Sequence, residues 1–159
     1  MIRYLPLTLL AVLGACDRTP EARNDAVVAT PSPAPTPSAT AASLDRYVDR
    51  YPLDDVAGKS FLAEPRVAAL VEGVVPDREV RARVLDRDVT ATPIVLRDGR
   101  ILSHGCEPHN CGAHNWTIAI RPDGAGGAVC YYDQDRNVGR WYPEGAGAPV
   151  VDGCPSGDE

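Results

Sequence analysis

The sequence predicts an α+β domain in which N-terminal helices pack on an antiparallel β-sheet of about five strands, with a protruding disulfide-closed loop. Three observations lead to this prediction. In the first half of the region from residue 44 to residue 159, apolar residues recur at helical spacing. In the second half they alternate with polar residues, and turn residues separate the alternating segments. Between two of these segments lie two cysteines five positions apart, which places them in a loop at one end of the sheet.

Residues 1–16, ahead of this domain, are predicted to form a lipoprotein signal peptide. Arg3 supplies a positive charge, and the apolar run after it is too short to span a bilayer. The run ends in Leu13-Gly14-Ala15-Cys16, which resembles the bacterial lipobox. Cys16 is therefore the expected site of lipidation, with palmitate among the attached acyl chains. Five cysteines are an odd number for an oxidising compartment, and lipidation of Cys16 leaves an even set of four. The alternative is an ordinary cleaved signal peptide with a free cysteine.

Residues 17–43 are predicted to be a linker rich in Pro, Ala, Ser and Thr. It has no aromatic residue and no apolar periodicity, so it buries too little surface to offset the entropy of ordering. Fully extended it reaches roughly 80 Å, enough to hold a domain clear of a membrane. The expected location is the cell envelope, with the domain facing the periplasm. The choice between inner and outer membrane stays open.

Residues 44–159 suffice for one domain with its own core, and three short helices are predicted at its start. Ser43 is expected to cap the first helix. The second is predicted to begin near Pro65 and to end at Gly73, and the third to run from Asp77 to Leu85. The inward residues are expected to be Leu44, Tyr47, Val48 and Tyr51 in the first helix, Val67, Leu70 and Val71 in the second, and Val80 and Val84 in the third.

The alternating pattern in the second half of the domain predicts consecutive antiparallel strands joined by short turns. Asp98-Gly99 is a strong hairpin signal with an alternating segment on each side. Trp116, Ile118 and Ile120 fall on one face of a strand that follows the cysteine loop. The other predicted strands are Thr92 to Arg97, Arg100 to Gly105, Gly127 to Tyr132 and Val138 to Tyr142.

The most informative segment carries two cysteines, a proline and a histidine between flanking glycines, and reads Gly105-Cys106-Glu107-Pro108-His109-Asn110-Cys111-Gly112. If its two thiols are oxidised to each other, the closed loop removes roughly 2 kcal/mol of unfolded-state entropy. Proline fixes one dihedral angle, and the glycines permit a sharp excursion of the backbone. His109 is then presented at the middle of a rigid loop.

The pattern Cys-x-Pro-His-x-Cys followed by Gly resembles the inhibitory loop of the Ivy family, proteinaceous inhibitors of c-type lysozyme. A general likeness extends from about Tyr47 to Tyr132. In that family the loop projects from a small α/β domain, and its histidine enters the lysozyme cleft. The resemblance therefore implies that His109 is the inhibitory residue. The family's best-known form has a basic residue and an acidic residue where this chain has Glu107 and Asn110, so contacts at the rim of the cleft are expected to differ.

The four cysteines of the domain allow three pairings, of which we predict Cys106 with Cys111 and Cys130 with Cys154. The second disulfide would attach the C-terminal segment to the sheet and contribute roughly 3.5 kcal/mol in the chain-entropy model.

Two other functions stay open for the same residues. His104, His109 and His114 interleave with Cys106 and Cys111, a set that suits copper or zinc. An oxidising compartment favours a disulfide over thiolate ligands, which counts against this metal-binding alternative. The third hypothesis is a non-catalytic cell-envelope scaffold domain in which the cysteine loop is only a staple.

The sequence lacks complete motifs for calcium binding, nucleophilic catalysis and phosphate binding. Asp133-x-Asp135-x-Asn137 has some calcium-loop spacing, but Val138 occupies the position that requires glycine. The sequence has no nucleophile elbow and no phosphate-binding glycine loop. We therefore expect no enzyme activity, no cofactor and no bound metal.

The leading prediction is a membrane-anchored, periplasmic inhibitor of c-type lysozyme. The chain's formal net charge of −6 argues against a nucleic-acid partner and suits a cationic protein. Whether the domain forms a homodimer is left open.

The lipobox generates the first testable prediction. Cys16→Ser is expected to release the domain from membranes, because the acyl chains on Cys16 would be its only anchor. Blocking lipoprotein processing with a signal-peptidase inhibitor is expected to leave the unprocessed precursor. Membrane fractionation followed by a high-salt wash measures both. A Cys16→Ser form that stays membrane-bound after the wash would contradict the lipid anchor.

Overall fold

The structure is a computed structural model that describes residues 42–157. The predicted signal peptide, the lipidation site and nearly all of the predicted linker lie outside the described residues. Two 3-10 helices, Leu44–Tyr47 and Phe61–Ala63, precede helices α1 (Pro65–Val74) and α2 (Arg78–Val84). Six strands follow: β1 (Thr90–Ala91), β2 (Val95–Arg97), β3 (Arg100–Cys106), β4 (His114–Ile120), β5 (Gly127–Asp133) and β6 (Val138–Tyr142). Within residues 42–157, no helix has the length and apolar character needed to cross a bilayer.

The six strands form one antiparallel sheet, so the predicted α+β class is confirmed. The strand order is β1-β3-β4-β5-β6, and β2 pairs with β3 farther along the same edge as β1. The sixth strand is β1, which lies ahead of the predicted strand Thr92 to Arg97, and of that predicted strand only Val95–Arg97 forms. Pro93 has no N–H to offer to β3, and Ile94 exchanges backbone hydrogen bonds with Asp49 and Arg50 instead.

The predicted hairpin at Asp98-Gly99 is confirmed as the turn between β2 and β3. Both residues have positive φ, 50° and 72°, as a type I′ turn requires. Arg97 and Arg100 are the closing pair of the ladder.

The first helix is shorter than predicted. Ser43 does cap it, with its hydroxyl accepting a hydrogen bond from the Asp45 N–H. It is a single 3-10 turn that ends at Tyr47, after which Asp49 adopts a positive φ of 64° and redirects the chain. Tyr51 was predicted to face inward and is 51% exposed for this reason.

Helix α1 begins at Pro65 as predicted, but Gly73 does not end it. The helix continues to Val74 and ends there, because Val75 adopts an extended conformation. Val75 precedes Pro76, and the proline ring disfavours helical backbone angles in the residue before it. Helix α2 agrees with the prediction: the Asp77 carboxylate caps it by accepting from the N–H groups of Glu79 and Val80.

The core lies between the helices and one face of the sheet. Helix α1 contacts β4 and β5, and α2 contacts β4. The fully buried residues that join the two layers include Val67 and Val71 from α1, Val84 from α2, and Ile118, Ile120 and Val129 from the sheet.

The C-terminal segment covers part of the opposite face of the sheet. The backbone carbonyl of Pro155 accepts a hydrogen bond of 2.6 Å from the hydroxyl of Thr117 on β4. A disulfide joins Cys154 to Cys130 on β5. All seven residues of β4 are therefore buried, including its polar ones.

The burial of β4 leads to a stability prediction. Ile118→Ala is expected to lower the free energy of unfolding by about 3 kcal/mol, because it removes methyl groups from a packed core and leaves a cavity. Leu96→Ala is the matched control, since Leu96 is 50% exposed, and its expected effect is within about 0.5 kcal/mol. Urea denaturation of the oxidised domain measures both. Equal losses from the two variants would contradict this description of the core.

Candidate functional site

The cysteine loop connects β3 to β4, and the structure contains both predicted disulfides. Cys106 and Cys111 are joined with their Cα atoms 4.8 Å apart, and Cys130 and Cys154 with theirs 5.7 Å apart. Between the first pair, Pro108 and His109 are exposed. The structure therefore places the imidazole of His109 at the solvent-facing tip of a closed loop.

Backbone hydrogen bonds fold this loop on itself. The N–H of Glu107 donates to the carbonyl of His114 at 3.1 Å, which extends the β3–β4 ladder one step past the strands. The carbonyl of Asn110 accepts from the N–H of His114 at 2.9 Å, and the Asn110 N–H donates to Glu107 at 3.0 Å. His109 lies inside this turn with a φ of 63°, a left-handed conformation in which His, Asn and Asp are enriched among non-glycine residues.

The two residues that depart from the best-known family pattern contact each other. The Asn110 side-chain amide donates to Oε2 of Glu107 at 2.8 Å, and the same oxygen lies 2.5 Å from Nδ1 of His114. These hydrogen bonds, the one from Asn110 above all, hold the pKa of the Glu107 carboxyl below its ordinary value. Glu107 and Asn110 are therefore engaged with the base of the loop.

His114 is the buried residue at the centre of these contacts. Its side chain is 10% exposed, and its Nε2 faces two more carboxylates, 3.3 Å from Oδ1 of Asp133 and 3.2 Å from Oδ2 of Asp135. Neither oxygen is aligned with the ring N–H as a hydrogen bond requires, so these two contacts are electrostatic. The sequence contained a signal for the contact between Glu107 and His114, because residues flanking a hairpin loop pair across it.

Asn115, the next residue of β4, connects the two disulfides. Its Nδ2 donates to the carbonyl of Cys111 at 2.8 Å, and its Oδ1 accepts from the backbone N–H of Cys154 at 2.7 Å. Asn115 is 5% exposed, so both groups are satisfied without solvent. Sequence reasoning missed this residue, and no local pattern indicates it, since Cys154 is 39 positions away along the chain.

The three histidines do not form a metal site. His109 is exposed at the loop tip, His114 lies beneath the loop, and Nδ1 of His104 is 3.0 Å from the Thr117 hydroxyl. The interleaved cysteines are in a disulfide. In the part of the chain that the structure describes, no group of three or more His, Cys, Asp or Glu side chains is placed to hold a metal ion. The metal-binding alternative is not supported.

The segment with partial calcium-loop spacing is a tight turn between β5 and β6. The carboxylate of Asp133 accepts from the Arg136 N–H at 3.0 Å and from the Tyr131 hydroxyl at 3.3 Å. Asn137 completes the turn with a φ of 54°. The polar groups of this segment are thus used by the turn, by Tyr131 and by the contacts to His114.

The fold and the site together define a class of protein: a small disulfide-bonded α+β domain whose candidate site is one exposed loop braced from below. Such a loop suits recognition of a protein surface. Residues 68–150, just over half of the chain, match the family model described as "Inhibitor of vertebrate lysozyme (Ivy)". The chain belongs to this family, so a lysozyme is the implied partner and inhibition, rather than enzyme activity, the implied role. No curated protein and no solved structure gives a significant match.

The bridging role of Asn115 can be measured. Asn115→Ala leaves the partly buried carbonyl of Cys111 and the buried N–H of Cys154 without their partner. We expect it to lower the free energy of unfolding by about 2 kcal/mol with both disulfides intact. Gln134→Ala, at an exposed position of the neighbouring turn, is expected to change it by less than about 0.5 kcal/mol. Non-reducing urea denaturation is the measurement. Wild-type stability in Asn115→Ala would show that the bridge is dispensable.

Proposed function

We propose that this chain inhibits c-type lysozyme by inserting the loop closed by Cys106 and Cys111 into the active-site cleft, with His109 as the residue that reaches the catalytic groups. The observation that supports this most directly is the geometry of the tip. His109 is exposed, while the residues on both sides of it are held by a disulfide and by hydrogen bonds to β4. An exposed imidazole on a fixed loop contributes little to the core but is well placed to contact a partner.

The proposed mechanism is occlusion of the catalytic carboxyl groups. A retaining glycosidase holds two such groups roughly 5–5.5 Å apart. A protonated imidazole carries two diverging N–H donors, so one His109 ring can donate to each carboxyl group. Hydrogen bonds between an imidazolium and carboxylates are charge-assisted and stronger than neutral ones. His109 in that position would also exclude the sugar ring from the cleavage site.

Preorganisation of the loop favours tight binding. The disulfide, Pro108 and the internal hydrogen bonds restrict the loop before it meets a partner. Less conformational entropy is then lost on docking, so more of the contact energy appears as affinity. The chain's formal net charge of −6 would in addition accelerate encounter with a basic lysozyme.

We further propose that the protein works from the cell envelope, lipid-anchored through Cys16 and facing the periplasm. The support for this is the lipobox-like segment and the linker rich in Pro, Ala, Ser and Thr at residues 17–43. A tether of that length allows the loop to meet a lysozyme that has reached the peptidoglycan.

The test of this proposal is removal of the His109 ring. His109→Ala is expected to weaken binding to c-type lysozyme by roughly thirtyfold or more, the typical effect of truncating the centre of a small interface. His109→Asn should show a similar loss, and Asn tolerates the positive φ of this position, so the loop conformation is retained. Both variants should unfold near the wild-type temperature, since His109 is exposed.

The measurement is residual lysozyme activity on cell walls against titrated inhibitor. His104→Ala is the matched control, because it removes a histidine on β3 that does not belong to the loop. It is expected to inhibit as the wild type does. Full inhibition by His109→Ala and His109→Asn would reject the loop mechanism, and no inhibition by the wild type would leave the scaffold alternative.

A further inference from the structure

We propose that Glu107 and His114 form a latch that positions His109 for binding, an inference that rests on the proposed function. The latch lies beneath the loop tip and does not itself contact the partner. Its members come from the two ends of the loop: Glu107 directly follows Cys106, and His114 is the first residue of β4. A contact between these ends restrains the backbone of the segment from Pro108 to Asn110, which presents the His109 ring.

In the latch, one carboxylate oxygen of Glu107 has two hydrogen-bond partners. Oε2 of Glu107 accepts from Nδ1 of His114 at 2.5 Å and from the Asn110 amide at 2.8 Å. Asn110 directly follows His109, and its own backbone bonds to Glu107 and His114. One carboxylate oxygen thus connects the residue after the tip to the buried end of β4, whereas the disulfide joins only Cys106 to Cys111.

The charges around His114 strengthen this arrangement. Carboxylates face both ring nitrogens, Glu107 at Nδ1 and Asp133 with Asp135 at Nε2. The His114 ring therefore lies between the loop carboxylate on one side and two carboxylates, at the end of β5 and in the turn after it, on the other.

Two arginines complete the charge environment of the latch. Arg83 of α2 lies 4.0 Å from Oε1 of Glu107, and Arg136 lies 3.7 Å from Oδ2 of Asp133 while it pairs with Glu79 at 2.8 Å. Glu107 is 41% exposed, so solvent screens its ion pairs, and the latch is expected to add little to global stability. The latch is instead expected to determine how well ordered the loop is.

The latch has a defined pH dependence. Because the folded-state pKa of Glu107 is lowered, the carboxylate persists below its ordinary titration range and is lost only as the pH falls through the folded value. Loop order should therefore persist at mildly acidic pH and decline only as the pH falls through the folded-state pKa of Glu107.

The experiment compares Glu107→Gln, His114→Gln and the double variant with the wild type, using two readouts. Hydrogen-exchange protection of the Asn110 and His114 amides in the free protein, followed by NMR across a pH series, reports on loop order. Calorimetric titration with a c-type lysozyme reports on affinity. The matched control is Glu72→Gln, which removes the same charge from an exposed position of α1.

We expect the loop amides of each single variant to exchange faster than those of the wild type. Its affinity for lysozyme should be roughly tenfold weaker, and its unfolding temperature should change little. The double variant should be no worse than either single one, since both break the same contact. The wild-type advantage in protection should shrink at low pH, where the Glu107 carboxylate is lost. Glu72→Gln should behave as the wild type. Additive losses in the double variant, or unchanged protection in both single variants, would overturn the latch.

The two proposals fail separately. If the wild type does not bind lysozyme, the proposed function fails, and amide protection in the free protein still decides whether the latch orders the loop. If the wild type binds lysozyme and Glu107→Gln binds it equally well, the positioning role is overturned while the proposed function stands.

Discussion

The burial of β4 on both faces is the constraint on which the rest of this structure depends. The strand lies between β3 and β5, its inward residues pack against the helices, and the C-terminal segment crosses its other face. A strand in this position holds both neighbours in register through its backbone and both layers through its side chains. The cysteine loop leads directly into this strand, so the loop is attached to the most strongly held segment of the domain.

Burial of polar residues at the start of β4 explains how the loop is braced. His114 and Asn115 are nearly inaccessible to water, and buried polar groups are stable only when they find partners. The partners available at this end of the sheet are the loop, the turn after β5 and the C-terminal segment. The requirement to satisfy two buried side chains therefore creates the contacts to Glu107, to Cys111 and to Cys154.

This arrangement separates stability from recognition within a short stretch of chain. The hydrophobic cluster between helices and sheet and the second disulfide stabilise the domain, while Pro108 and His109 are exposed and contribute little to it. The left-handed conformation of His109 is retained because its neighbours are fixed on both sides. A residue in this position can be selected for its contacts with a partner, because the core does not depend on it.

The sequence by itself determined the features that depend on neighbouring residues. The Asp98-Gly99 turn, the start of α1 at Pro65 and the capping of α2 by Asp77 follow from local backbone chemistry. The α+β class follows from the change of apolar period along the chain. The loop motif was equally readable, because its cysteines, proline and histidine lie within eight consecutive residues.

Tertiary structure decided what local signals could not. Tyr51 faces solvent because the chain turns at Asp49, and the predicted strand from Thr92 breaks because Ile94 bonds to Asp49 and Arg50. The contacts of His114 with Asp133 and Asp135 depend on β5 pairing beside β4, and the Asn115 bridge depends on where the distant C-terminal segment crosses the sheet. Turns and caps form from adjacent residues, whereas these contacts exist only once the whole chain has packed.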